Sequence, residues 1–337
     1  MFSLEVNDLQ PLRAGLIGIG MMGRNHARVL RELADVELVV IADQDGDKHN
    51  VAQGVPVVSR TEEALTFDLD CAIIAVPTMF HEEVAVQLSK NKVPTLIEKP
   101  LADSVESAER IIKAFEETDT LAFVGHIERF NPAIIELKKR LQNGDIGEVF
   151  QVATRRQSYF PGRISDVGVV KDLATHDIDL VMSITGSTYR TATALTAHRS
   201  GRPTEDMVIA NALLENGVIV NHVVNWLSPL KERVTVVTGE SGIFVADTLT
   251  GDLTVHRNGE FDMDWDSLSS FRGVSEGDTI RFAFPRVEPL KAEIANFIAA
   301  VRRDPEVERV TLSQGLEVLR VVDLLLSSAI EANLATS

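Results

Sequence analysis

One cysteine in 337 residues, Cys71, excludes an intramolecular disulfide and with it any disulfide-built scaffold. Its setting, Cys71-Ala72-Ile73-Ile74-Ala75-Val76, reads as a buried strand with an inert thiol rather than a reactive one. Positive charge is also scarce: 33 Lys and Arg stand against 50 Asp and Glu, a net charge of −17. So acidic a surface offers no face for general nucleic-acid binding, although a local cluster of donors can still hold a small anion. Long apolar runs are missing. The stretch 316–331 is broken by Glu317, Arg320 and Asp323, and nothing approaches the roughly 18 uncharged residues of a membrane span. Residues 1–8 lack the basic-then-apolar order of a secretory signal. Repeats, low-complexity tracts and flexible linkers are absent as well. The expectation is a cytoplasmic protein that engages neither membrane nor nucleic acid. What is present is ordinary globular composition, 45% hydrophobic and 25% charged. At roughly 100–200 residues per domain, the length suggests two domains.

The first part alternates strand and helix. Apolar runs at Leu12–Ile17, Val36–Ala42, Cys71–Val76, Val93–Ile97 and Leu121–Val124 read as buried strands, with a short one near Val55–Ser59. Met22–Leu33 carries Ala27, Leu30 and Leu33 at helical spacing, His81–Lys90 is helical, and Asp103 or Ser104 caps a helix to Glu117. Such alternation implies a parallel sheet with helices on both faces, a Rossmann-type α/β domain over residues 1–128. The rest, 129–337, has another grammar. Ile134–Gln142 and Asp172–Ile184 are helical, and Val149–Ser158 alternates like a strand. Glu215-Asn216-Gly217, Gly239-Glu240-Ser241-Gly242 and Thr250-Gly251-Asp252 are turn signals in a long β-rich stretch, followed by two helices at about 289–303 and 312–332. This predicts an α+β domain on a large, mostly antiparallel open sheet. Its uncovered face suits self-association, as a dimer or tetramer.

Gly18-Ile19-Gly20-Met21-Met22-Gly23 follows the first strand and opens the first helix. Gly18 permits a tight turn, Gly20 a close approach of backbone to pyrophosphate, and Gly23 close packing of helix on strand. Met21 and Met22 complete the loop, and the helix N-terminus offers N–H groups to phosphate. Asp43 lies twenty residues beyond Gly23 at the end of the second strand. Its carboxylate suits a ribose 2′-hydroxyl and repels a 2′-phosphate, an objection that Asp45 and Asp47 strengthen, so NAD is expected over NADP. Val76, Pro77 and Thr78 end the next strand on the same carboxyl edge. His81 and His26 read equally well as cofactor neighbours or as structural residues.

Two constellations carry chemistry. Glu98-Lys99-Pro100 ends a strand on that edge; Lys99 is either a buried functional cation or an exposed loop lysine paired with Glu98. On a regular helix Asp172, His176, Asp179 and Ser183 share one polar stripe. Asp172 can then fix the His176 tautomer and raise its basicity, which suits a general base near neutral pH. No metal signature accompanies these residues, and no metal is expected. A solvated helix face remains the plainer alternative.

Together Gly18-x-Gly20-x-x-Gly23, Asp43, Glu98-Lys99-Pro100 and Asp172-x-x-x-His176 resemble the Gfo/Idh/MocA oxidoreductases, from about Arg13 to Glu331. The stretches Val124–Pro132 and Arg163–Leu180 look like the branch of UDP-N-acetylglucosamine 3-dehydrogenases. The resemblance implies an NAD-dependent dehydrogenase that oxidises the 3-hydroxyl of a UDP-amino-sugar to a ketone, with an aminotransferase as a logical pathway partner. It implies cofactor contacts at Gly18, Gly20, Met21, Met22, Gly23, Asp43, Val76, Pro77, Thr78, His81, Glu98 and Lys99. Lys99 would hydrogen-bond the reacting hydroxyl, His176 would take its proton and Asp172 would orient His176. The choice between Lys99 and His176 as base stays open, with His176 favoured by an ordinary pKa near neutrality. Pro100 is expected to follow a cis bond, as the family often has there. A diphosphate needs cations. Arg163 is the first candidate, with Arg129, Asn131 and Arg156 beside it; alternation along a strand lets only one of Arg155 and Arg156 face the site. Tyr159 suits stacking on sugar or base, or plain packing. Two alternatives stand: a dehydrogenase of free sugars or cyclitols, and an NAD-binding regulator without turnover, against which the intact Lys99, Asp172 and His176 set argues.

Overall fold

The computed structural model describes residues 10–162, 167–259 and 276–334, with side chains to 329. It divides into two compact units: Met1–Ile127 with Leu290–Leu319, and Glu128–Pro289 with Arg320–Ser337. The chain therefore returns to its first unit near the end, where a single cut at 128/129 had been expected.

In the first unit β1 (Leu12–Ile17), α1 (Met21–Glu32), β2 (Val36–Ala42), β3 (Val57–Val58), α2 (Thr61–Ala64), β4 (Cys71–Ile74), α3 (His81–Lys90), β5 (Thr95–Glu98), α4 (Val105–Thr118) and β6 (Ala122–Gly125) follow in order. The six strands form one parallel sheet in the order β3-β2-β1-β4-β5-β6. This is the dinucleotide-binding order, in which the strand sequence reverses beside β1. The β-branched run of β2 is buried along most of its length, as a parallel strand covered on both sides must be. Ser104 caps α4, its Oγ accepting from Ser107 N at 3.2 Å. The core joins Leu16, Ile41, Ile73 and Leu96 to Leu30 of α1 and to Ile294 and Phe297. Phe297 meets Phe123 edge-on, with ring centres 6.1 Å apart. That apolar contact, more than 160 residues along the chain, is why the late segment belongs here. Cys71 is buried in this sheet, and burial pushes its thiol up to about 12.

The second unit holds α5 (Pro132–Gln142), β7 (Val149–Tyr159), α6 (Thr175–Thr185), β8 (Tyr189–Ala197), β9 (Met207–Leu214), β10 (Ile219–Asn225), β11 (Leu227–Gly239), β12 (Gly242–Asp247), β13 (Asp252–Asn258) and β14 (Glu276–Arg281). Two further helices close the chain, α7 (Pro289–Val301) and α8 (Leu312–Leu334), the latter starting in the first unit and ending in the second. The eight strands run β14-β13-β12-β11-β7-β10-β9-β8, antiparallel except for β7 beside β10. One face buries Val152, Val220, Val237 and Phe244 against Ile134, Leu137, Leu180 and Val181 of α5 and α6. On the other, Leu195, Ile209 and Ile219 are exposed. There Gln151 donates to Asn221 and Asn221 to Asn211, a chain of amides across three adjacent strands. Strands β8 and β14 lack a sequence signal: one is a Thr/Ala alternation, the other is largely charged and held by its ladder to β13. No helix among the described residues is long and apolar enough to cross a membrane.

Candidate functional site

The glycine loop is built by steric exclusion. Gly18 has φ +94°, and a β-carbon there would stand 2.7 Å from Ala75 O. A β-carbon on Gly23 would stand 2.0 Å from Gly18 O, so α1 packs against the loop backbone. Gly20 is different: its β-carbon would meet nothing within 4 Å. Gly20 also begins α1, with no side-chain cap and no acidic residue in the first turn. The unspent N–H groups of that turn therefore face space that suits a pyrophosphate. Met21 is exposed beside them, while Met22 packs on the core.

Asp43 ties this loop to β2. Its Oδ2 accepts from Ile19 N at 2.9 Å and its Oδ1 from Asp45 N at 2.9 Å. Each oxygen keeps a lone pair for a ribose hydroxyl. Asp45 pairs with Lys48 at 2.9 Å. Asp47 accepts from Val51 N and Ala52 N, bonds that hold its carboxyl below the usual range, so it organises its own loop.

On the neighbouring strand ends the assignments change. Val76, Pro77 and Thr78 do follow β4 on the carboxyl edge. His81 does not offer its ring to a cofactor: it is buried, with Nδ1 3.1 Å from Pro100 O and Nε2 3.1 Å from Val76 O. Burial holds its pKa below the usual value. It clamps the turn after β4 to the turn after β5. Glu98 is likewise turned inward. Its Oε1 lies 2.6 Å from His26 Nε2, and its Oε2 accepts from Lys99 N at 3.2 Å. Burial pushes the Glu98 carboxyl up, but the His26 bond and the nearby positive charges outweigh it and keep it low. His26 is fully buried, its ring turned to Glu98. Lys99 is half-buried, and its bond to Pro100 is cis, as expected.

In the second unit the helix bearing Asp172 and His176 is irregular. Val170–Ala174 forms a π turn that runs directly into α6. Glu205 holds its start, with its backbone O accepting from Val169 N and its Oε1 from Val170 N at 3.1 Å. Asp172 and His176 are half-buried, four residues apart. The expected four-residue polar stripe breaks beyond them. Asp179 is buried and takes a forked bond from Arg129 (Nε to Oδ2 2.9 Å, Nη2 to Oδ1 2.6 Å). Ser183 accepts from Lys138 at 3.0 Å. The wider i→i+5 turn shifts Asp172 against α6, on which His176, Asp179 and Ser183 keep regular helical spacing.

Three expected substrate contacts are spent inside the fold. Arg129 is committed to Asp179. Arg156 is buried, its Nε 2.8 Å from Asp177 Oδ1 and its Nη1 2.8 Å from Glu128 Oε1. Asn131 caps α5 through Ala133 N and donates to Thr248 O. A buried charge has to be paired, and Asp179, Asp177 and Glu128 pair these two arginines. The two strand arginines do split as alternation requires, Arg155 exposed and Arg156 buried; Tyr159 is exposed. Arg163 lies outside the described residues. Sequence reading missed Glu128, Asp177 and Arg233. Arg233 pairs with Arg156 across β11 and β7, shares Glu128 Oε1 at 3.2 Å, and keeps 34% of its side chain exposed. Burial and the adjacent Arg156 lower its pKa, and the charge of Asp172 acts on it in the opposite sense. The only signal for it was a basic residue on an inward position of a strand.

A parallel sheet in dinucleotide order with an anion-ready glycine loop defines an NAD-binding Rossmann domain, here followed by an α/β domain carrying a half-buried Asp–His pair. Comparison agrees. Residues 12–126 match the family model described as oxidoreductase family, NAD-binding Rossmann fold, and residues 138–333 its C-terminal alpha/beta domain. The chain belongs to the Gfo/Idh/MocA oxidoreductase family. It is similar to inositol 2-dehydrogenase 2 of Saccharopolyspora erythraea, 31% identical over 222 residues, covering 62% of this chain and 65% of that protein. It is 29% identical over 215 residues to UDP-N-acetylglucosamine 3-dehydrogenase of Acidithiobacillus ferrooxidans, covering 62% of this chain and 66% of that one. The match thus spans just under two thirds of the length of these curated relatives. The solved structure of the Acidithiobacillus enzyme superposes with a TM-score of 0.82 at 24% identity, over 95% of this chain and 98% of the other, a likeness of fold.

Proposed function

We propose that the protein is an NAD-dependent dehydrogenase of a secondary hydroxyl, and that its substrate is a UDP-amino-sugar, UDP-N-acetylglucosamine or a close relative, oxidised at the 3-hydroxyl. The observation that carries the dehydrogenase reading is the half-buried Asp172 and His176 pair on an irregular helix, in a chain whose other domain is built for NAD. NAD supplies the hydride acceptor. The chain's own residues handle the proton. His176 accepts it from the hydroxyl, Asp172 fixes the imidazole tautomer, and Lys99 donates a hydrogen bond to the hydroxyl oxygen as negative charge develops on it. Asp43 and the glycine loop hold the cofactor.

The substrate reading rests on the branch-like segments around Val124–Pro132 and Arg163–Leu180 and on the Acidithiobacillus relative. A cyclitol or free sugar is the second reading. It is favoured by the internal pairing of Arg129 and Arg156, which removes two cations from any diphosphate. The ketone formed from an amino sugar would suit a following aminotransferase. We also infer a homo-oligomer, dimer or tetramer, through the exposed face bearing Leu195, Ile209 and Ile219, testable by sedimentation at micromolar concentration.

The deciding experiment follows NADH absorbance and product mass with NAD and UDP-N-acetylglucosamine. Parallel reactions use NADP, free N-acetylglucosamine, myo-inositol, or 2-oxoglutarate added to recycle retained cofactor. Turnover with the UDP-sugar alone supports the first reading. Turnover with myo-inositol alone replaces it with the second.

A further inference from the structure

The mechanism above leaves one buried charged pair unused. His26 of α1 and Glu98 at the end of β5 are 2.6 Å apart, and both are buried. We propose that His26 and Glu98 form a charge-holding pair that biases the site toward the oxidised over the reduced nicotinamide.

His26 Nδ1 has no hydrogen-bond partner among the described residues, so a proton there would be an unmet buried donor. The proton belongs on Nε2, where Glu98 Oε1 accepts it. Glu98 Oε2 takes a second N–H, from Lys99. A buried carboxylate with two donors stays ionised, so Glu98 carries its negative charge in the interior. The other titratable groups acting on it are Lys99 and His81.

The location gives that charge a use. In a sheet of this order the first half, with the glycine loop and Asp43, takes one mononucleotide and the pyrophosphate. The nicotinamide half falls to the carboxyl ends of the other strands, among them β5, where Glu98 sits. The ring is cationic when oxidised and neutral when reduced. A fixed anion beneath that edge stabilises the first state and is indifferent to the second, and low polarity around it lengthens its reach. The same bonds anchor the Lys99 backbone, so Glu98 and His26 are positioning residues rather than catalytic ones.

The test measures binding with no sugar present, so its failure would leave the substrate reading untouched. NADH is titrated by fluorescence and NAD by calorimetry, for wild type and Glu98→Gln. The substituted amide keeps the shape, and His26 can move its proton to Nδ1 and accept from it. The Kd ratio of NAD to NADH is expected to rise on the order of tenfold. A ratio within about twofold of wild type, including a parallel weakening of both ligands, would overturn the proposal. Should Glu98→Gln fail to fold, His26 variants ask the same question. His26→Gln retains a donor to the carboxylate and is expected to keep the ratio. His26→Leu removes it, favours protonation of the carboxylate, and is expected to shift the ratio toward NADH. Equal ratios in these two variants would equally overturn it.

Discussion

Arg156 Nε lies 2.8 Å from Asp177 Oδ1, and both side chains are buried. The guanidinium also meets Glu128 at 2.8 Å, so one cation is shared by two interior carboxylates. Burial raises the Asp177 carboxyl despite that contact, a sign of how much charge the interior must hold. Arg156→Ala would leave both carboxylates without their main partner. A loss of roughly 3–5 kcal/mol in urea unfolding is expected. Arg156→Lys should recover only part of it, because an ammonium does not reproduce the planar fork. A change below about 1 kcal/mol would return Arg156 to the substrate-contact role expected from the sequence.

The glycine loop predicts a contrast between neighbours. Gly23→Ala sets a β-carbon against the Gly18 carbonyl, which is backbone and cannot swing away. It should cost roughly 1–3 kcal/mol of stability and most of the cofactor binding. Gly20→Ala meets no protein atom, and its φ of −61° is open to alanine. It should leave stability within about 0.5 kcal/mol, yet weaken NADH on the order of tenfold by filling the space that a pyrophosphate needs. Equal stability loss in the two variants would contradict this division of labour.

The legibility of the site divides along the same line. Asp43 and the glycines could be found in sequence because backbone sterics dictate them, and sterics leave residue-type signatures at fixed spacing. The same holds for β1, β2 and α1, whose apolar periods need no partner to be recognised. Arg129, Arg156 and Asn131 could not be placed, because a polar residue reads alike whether it faces a ligand or a buried carboxylate far along the chain. The stripe failed at Asp179 for the same reason: its spacing on α6 is regular, and only its buried bond to Arg129, fifty residues away, sets it apart. The charged strand β14 was invisible for a related reason: its β-structure comes from the ladder to β13.

A buried relay makes stability depend on pH. His222 Nδ1 lies 2.7 Å from Thr154 Oγ1 and its Nε2 2.7 Å from Tyr189 Oη, and burial pushes its pKa from 6.5 to about 4. Above pH 6.5 neither the folded nor the unfolded state holds the extra proton. Between 6.5 and about 4 the unfolded chain takes it and the folded one does not, so stability falls as pH falls. The full effect is about 3 kcal/mol, reached near the lower value. Urea unfolding from pH 7.5 to 4.5 should show a shallower decline for His222→Gln than for wild type, since the amide can meet both hydroxyls without titrating. Parallel profiles would remove His222 as the source.

The sharpest prediction concerns His176. If its imidazole takes the hydroxyl proton, His176→Ala should lower kcat by about 10² to 10⁴. NADH affinity should stay unchanged, because the glycine loop, Asp43 and the β5 edge all lie in the first unit. Added imidazole should restore part of the rate, which a merely structural histidine would not allow. Asp172→Asn keeps the size of the partner but removes the charge that fixes the tautomer, and should lower kcat without rescue by imidazole. A His176→Ala enzyme within about threefold of wild type would move the base to Lys99. The contrast in imidazole rescue between the two variants separates a proton acceptor from the residue that orients it.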